Sequence, residues 1–149
     1  MDENRPGGVT FGPRTWTHTF ACAIPELRRM SGWVHEVCAD AAIDHDLALD
    51  LELCLHEVVA NVILHGCDHP GGSPISVSLT ASRDGVRATV EDFGRAFDPR
   101  QVPERPVPAT LEDLTPGGRG VEILRRLARD LDYRRDGDRN ILTFRVGRT

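Results

Sequence analysis

The spacing of apolar residues changes several times along this 149-residue chain, and each change marks an element. Leu47, Leu51, Cys54, Leu55, Val58 and Val62 recur in three- and four-residue steps, which predicts a helix that takes in residues 51–66. Asp46, Asp50, Glu57, Asn61 and His65 form a narrow polar stripe on it, and Leu49, Leu53, Val59, Ile63 and Leu64 fill most of the remaining circumference. A helix of that composition is expected to be largely buried, so its stripe must meet water, a ligand or a partner. Upstream, residues 14–23 alternate as a strand does. Residues 25–43 read as a helix, with Pro25 at a tolerated early position and Leu27, Met30, Val34 and Val37 on one face. Downstream, residues 75–82 and 86–92 alternate on either side of Arg83-Asp84-Gly85, a hairpin signal. Residues 121–131 return to helical spacing, and 131–135 with 141–146 predict a closing hairpin around Asp136-Gly137-Asp138. The order β-α-α-β-β-loop-α-β-β predicts an α+β fold, a two-layer α/β sandwich whose mostly antiparallel sheet is covered on one face by helices.

Two stretches lack any period. Residues 1–13 are rich in Gly, Pro and polar side chains and read as a flexible N-terminal arm, which leaves 14–149 as a single domain. Residues 100–117 carry Pro103, Pro106, Pro108 and Pro116 and read as a long loop of the kind that serves as a lid. That loop runs into Gly117-Gly118-Arg119-Gly120 at a helix start, where free backbone N–H groups and the helix dipole favour phosphate. The bland reading of the same glycines is a surface loop and a helix cap.

Charge and cysteine content narrow the function classes. A net charge of -5 argues against direct nucleic-acid binding, since the arginines between 125 and 139 alternate with acids and read as a solvated helix face. No stretch is long and apolar enough for a membrane span, and MDENRPGGV lacks the features of a signal peptide, so a cytoplasmic protein is expected. Cys22, Cys38, Cys54 and Cys67 are scattered without a CxxC pair, which predicts reduced, mostly buried thiols. His65-Gly66-Cys67-Asp68-His69 has the look of a metal clip but no evident fourth ligand. His56-Glu57 imitates the start of a zinc-protease helix, yet Ala60 stands where the second histidine is needed.

Glu57 and Asn61, one turn apart on the polar stripe, are then either a site or the wet side of an amphipathic helix. With them stand Glu91-Asp92-Phe93-Gly94-Arg95-Ala96-Phe97-Asp98-Pro99 and the glycines from Gly117. In that order the three segments resemble the N, G1 and G2 boxes of the GHKL ATPase superfamily, which includes gyrase, Hsp90, MutL and histidine kinases. More narrowly they are similar to the bacterial anti-sigma-factor serine kinases. The likeness covers nearly the whole chain and implies the GHKL, or Bergerat, ATP-binding fold.

It also implies roles. Asn61 would hold Mg²⁺ through its carbonyl oxygen, Asp92 would accept a hydrogen bond from the adenine amino group, and Gly94 would let the base lie close. His65 and Phe97 belong to the same nucleotide-binding set. Gly117, Gly118, Arg119, Gly120 and Val121 would present backbone N–H groups and a helix dipole to the phosphates. Glu57 would take the proton from a serine hydroxyl attacking the γ-phosphate of ATP. The implied partners are a sigma factor and a STAS-like anti-anti-sigma protein carrying that serine, while dimerisation stays open. Two positions depart from the family. Ala96 replaces the second glycine of the G1 box, and Leu114-Thr115-Pro116 lacks the acidic-basic pair that some of these kinases place before the glycines, where Arg119 or Arg105 would have to substitute. The alternatives are a nucleotide-gated partner-binding module without kinase activity, and a structural or metal-binding domain in which Glu57 and the glycines are incidental.

Overall fold

The computed structural model describes residues 12–67, 72–102 and 120–147. Its order is β1 (Arg14–Phe20), α1 (Glu26–Asp40), α2 (His45–Asn61) with a π-helical extension (Val62–Gly66), β2 (Ile75–Ser82), β3 (Gly85–Asp92), a 3-10 turn (Pro99–Gln101), α3 (Gly120–Leu127), β4 (Arg129–Asp136) and β5 (Arg139–Val146). The five strands form one antiparallel sheet in the order β1-β2-β3-β5-β4. The expected α+β sandwich is therefore the observed one. Most of the arm at 1–13 and the lid from 103 onward lie outside the described residues.

Alternation along the strands decides which side the helices cover. Ile75, Val77 and Leu79 of β2, Ala88 and Val90 of β3 and Phe144 of β5 are buried and meet Met30, Val34, Leu51, Leu55 and Val59 from the helices. Each large side chain so buried is worth roughly 1.5–3 kcal/mol. The opposite face is polar: Thr15 and Thr80 share a hydroxyl hydrogen bond at 2.9 Å, as do Thr17 and Ser78. Among the described residues, no helix is long and apolar enough to cross a membrane.

Several boundaries differ from the periodicity, each for a local reason. β1 stops at Phe20, short of 23, because the chain turns there: Ala23 N donates to Ala21 O at 2.9 Å, and the Ala21 N–H goes to Glu26 Oε1 at 3.0 Å instead of extending the ladder. α1 stops at Asp40 because Ala42 takes a left-handed conformation, φ 53°, and Ile43 N folds back onto Cys38 O. α3 ends at Leu127, four residues before its expected end at 131, and β4 begins at Arg129, with a left-handed Asp130, φ 54°, at the irregularity in its ladder to β5. The arginines from 129 to 135 thus decorate an exposed edge strand, not a helix face. The expectation that α2 is buried nearly all round is also corrected. Leu51, Cys54, Leu55, Val58 and Val59 are buried, but Leu49 and Leu53 stand 44% and 47% exposed, and Leu64 beyond the helix 55%.

Candidate functional site

α2 and its extension supply one wall of the site. Glu57 and Asn61 sit on the same side of the last two turns, and at Val62 the helix widens so that Cys67 N reaches back five residues to Val62 O at 3.1 Å. Such π-turns are rare and concentrate where a helix must re-aim its side chains. Here the widening carries His65 and Gly66 into the same cavity as Glu57 and Asn61.

The end of β3 supplies the second wall. Asp92 is 7% exposed, and together with Asn140 it makes up the buried polar residues among those described. Gly94 N donates to Asp92 Oδ1 at 2.8 Å and Asn140 Nδ2 donates to the same oxygen at 2.9 Å. Both bonds land on Oδ1, and Oδ2 accepts neither. Asn140 also donates to Arg95 O at 2.9 Å, and Arg135 Nη1 donates to Gly94 O at 2.7 Å, which holds the turn after Asp92 against the end of β4 and the start of β5. The turn closes on the helix extension: Arg95 N donates to Gly66 O at 3.3 Å, and a Cβ on Gly94 would collide with the Gly66 backbone. Glycine is required at 94 by that contact.

α3 closes the third side. A Cβ on Gly120 would lie 2.5 Å from Glu57 Oε2 and 3.3 Å from Glu57 Cδ, so the carboxylate rests directly against the first residue of α3. One cavity is lined by six of the residues singled out in the sequence, Glu57, Asn61, His65, Asp92, Phe97 and Gly120. Gly94 backs it, and Val121 follows Gly120 in the first turn of α3. Gly117, Gly118, Arg119 and Arg105 lie outside the described residues, as do Leu114, Thr115 and Pro116.

The structure adds residues that the pattern did not give. Val58, Val62, Val90, Leu124 and Leu142 supply an apolar lining, and Tyr133 and Asn140 reach the cavity from β4 and β5. Asn140 was legible in principle. It shares its face of β5 with Leu142, Phe144 and Val146, and a polar side chain in that inward series is a signal; β5 begins at Arg139, two residues before the expected start at 141, and so takes in Asn140. Below the cavity, burial pushes the Cys54 thiol up to about 12, with the charges of Asp50 and Glu57 adding to the effect, so no thiolate competes there at neutral pH.

The expectation about the cysteines is corrected. Cys22 and Cys67 are joined as a disulfide, with Cα atoms 6.4 Å apart, within the usual span for such a bond. Only Cys38 and Cys54 are the free, buried thiols expected of all four. Asp68 and His69 of the clip at 65–69 lie outside the described residues, and no metal-ligand cluster of His, Cys, Asp or Glu occurs among the described ones.

An apolar slot thus has an acidic hydrogen-bond acceptor at one end, and a carboxylate and an amide beside a helix start at the other. Residues 21–146 match the histidine kinase-like ATPase domain family, and the chain belongs to it. It is 29% identical over 112 residues to the serine/threonine-protein kinase BtrW of Bordetella bronchiseptica, an alignment covering 75% of this chain and 79% of that protein. Its fold is similar to that in the crystal structure of the RsbU and RsbW domains of Rv1364c from Mycobacterium tuberculosis. There the TM-score is 0.61 and the identity 19%, over 91% of this chain and 33% of that one. The resemblance read from the three boxes holds, and the domain is an ATP-binding one of the kinase-like type.

Proposed function

We propose that this domain is an ATP-dependent protein serine kinase of the anti-sigma type, acting in the cytoplasm. In this reading it binds a sigma factor and phosphorylates a STAS-like anti-anti-sigma partner. The observation that carries it is the placement of Glu57 and Asn61 in the same cavity as Asp92, with Glu57 against the first residue of α3. The donor set fits the group. Asp92 Oδ2 is available to a base amino group, the apolar lining suits a flat ring, and Asn61 offers the neutral oxygen that a hard cation takes.

Asn61 would hold Mg²⁺ beside the phosphates, and the ion when bound neutralises charge on the transferring group. The backbone N–H groups of Gly120 and Val121, with those expected of Gly117, Gly118 and Arg119, would orient the phosphates along the α3 dipole. Glu57 would accept the proton of the partner serine as its oxygen forms a bond to the γ-phosphorus and the bond to the leaving ADP oxygen breaks. BtrW, to which the chain is similar, is itself named a serine/threonine-protein kinase, which supports transfer to a protein hydroxyl.

A second reading, a nucleotide-gated binding module without kinase activity, is favoured by Leu114-Thr115-Pro116, where no acidic-basic pair precedes the glycines. Incubation with γ-labelled ATP, Mg²⁺ and purified STAS-like proteins from the same genome separates the two. Label on a partner serine supports the kinase. Saturable ATP binding with no label on any partner selects the module.

A further inference from the structure

The Cys22–Cys67 disulfide has no part in holding nucleotide or moving a proton, yet it ends one residue from the cavity. Cys67 follows Gly66 directly, and its N–H closes the π-turn onto Val62 O at 3.1 Å. The same short extension makes up part of the adenine end of the site. Val62, His65 and Gly66 line the cavity with Asp92, Gly66 O takes the Arg95 N–H, and Gly66 packs backbone to backbone on Gly94. On the far side Cys22 lies between β1 and α1, 2% exposed and part of the core with Phe20 and Met30. The bond spans 45 positions of sequence and fastens the end of the α2 extension to the corner at the start of the fold.

We propose that the Cys22–Cys67 pair is a thiol-redox latch that sets nucleotide affinity by holding the Val62–Gly66 turn against the Asp92 turn; this rests on the nucleotide reading above. The two sulfurs differ in access. Cys22 is enclosed, Cys67 is half-buried, and Cys38 and Cys54 are buried thiols outside the bond. Exchange therefore begins at Cys67. Its thiolate attacks one sulfur of a low-molecular-weight disulfide, the small S–S bond breaks, and one small thiol leaves. The Cys22 thiolate then attacks the Cys67 sulfur, the intramolecular bond forms, and the second small thiol leaves. Two protein thiols have given up two electrons and two protons, and the small disulfide has taken them up as two thiols. A small dithiol runs the sequence backwards.

With the link closed, the turn carrying His65 and Gly66 has fewer conformations to lose when a nucleotide binds, so the oxidised form binds more tightly. Coupling of this kind is reciprocal: nucleotide must favour the disulfide over the dithiol by the same factor.

The test uses the full chain in buffers of graded glutathione to oxidised-glutathione ratio, with and without Mg-ADP. Free thiols are alkylated, the linked peptides are read by mass spectrometry, and Mg-ADP affinity is measured by calorimetry at each end of the series. The expected result is affinity about fivefold or more tighter in the oxidised form, and a disulfide midpoint moved by the same factor when Mg-ADP is present. Cys67→Ser, at the less enclosed position, and Cys22→Ser should each bind Mg-ADP independently of the glutathione ratio, whereas Cys38→Ser should keep the dependence. Equal affinity in the two states, or no Cys22–Cys67 peptide under oxidising conditions, overturns the latch. Absence of Mg-ADP binding in either state, with the linked peptide present, overturns the nucleotide reading and the latch with it.

Discussion

Asp92 and Asn140 face each other across the β3–β5 ladder, and the amide of the second fixes the carboxylate of the first. Asn140 Nδ2 donates to Asp92 Oδ1 at 2.9 Å, while Asn140 Oδ1 accepts from the Tyr133 hydroxyl and, at 3.0 Å, from Arg135 Nη1. Because donors surround the oxygen and acceptors surround the nitrogen, the amide has one satisfied orientation. Asn140→Ala leaves several buried groups without partners and should lower stability by about 1–3 kcal/mol in denaturant unfolding. The same variant should weaken Mg-ADP binding, because Asp92 is no longer aimed. Unchanged affinity in a folded Asn140→Ala protein would show that Asp92 orients itself.

Asp92→Asn tests the acceptor directly. The substitution keeps the size of the side chain but turns half of the carboxylate into a donor, which should cost about tenfold or more in adenine-nucleotide affinity by calorimetry. An affinity equal to that of wild type would remove Asp92 from the adenine end of the cavity.

Glu57→Gln separates binding from chemistry. Nucleotide affinity should hold to within about threefold, while phosphate transfer to the partner serine falls by about a hundredfold or more, the usual scale for a general base. Parallel losses in both quantities would make Glu57 a binding residue.

Gly120→Ala puts a methyl group 2.5 Å from Glu57 Oε2. Alanine suits the interior of a helix, so α3 itself should tolerate the change. Either the carboxylate or the helix start must move, and transfer to the partner serine should fall with little change in thermal stability. Full transfer activity in Gly120→Ala would mean that Glu57 has room to spare.

The Asp98–Gln101 turn has a pH dependence with a defined sign. A side-chain hydrogen bond from Arg100 holds the Asp98 carboxyl below the usual carboxylate range, helped by the Arg100 N–H at 3.0 Å and opposed by partial burial. Its folded value is depressed. The stabilisation is therefore present above the unfolded value of about 3.9 and is lost as pH falls through the lower folded value. Thermal unfolding of wild type and Asp98→Asn should differ most near pH 6 and converge toward about pH 2. A gap that stays constant with pH would mean that the bond carries no linked proton.

How far the fold was legible follows from which signals are local. Alternation in Ile75–Ser82 and the Arg83-Asp84-Gly85 turn fix a hairpin with little outside help, and both strands lie where the pattern puts them. The end of α1 carries no glycine signal because Ala42 takes the left-handed turn that stops it, and apolar spacing runs past the end of α3 because Leu131 belongs to β4. The Glu57-Asn61 spacing announced the site because the two positions sit one turn apart on one helix. Asn140 and Tyr133 enter it from strands far away in sequence, and no window shorter than the fold brings them to Asp92. The Cys22–Cys67 bond was invisible for the same reason, since only the packing of the α2 extension beside the β1 corner sets their distance.

The last strand of the chain lies inside the sheet, between β3 and β4, and carries the residue that aims Asp92. On a translating ribosome, β1, α1, α2, β2 and β3 emerge with the interior edge of β3 unpaired and the Asp92 end of the cavity missing one side. The Asp92 carboxylate is thus fixed only at a later step, when the segment through Val146 clears the exit tunnel. A chain broken off before Asn140 lacks the residue that aims Asp92, whatever else of the sandwich it has formed.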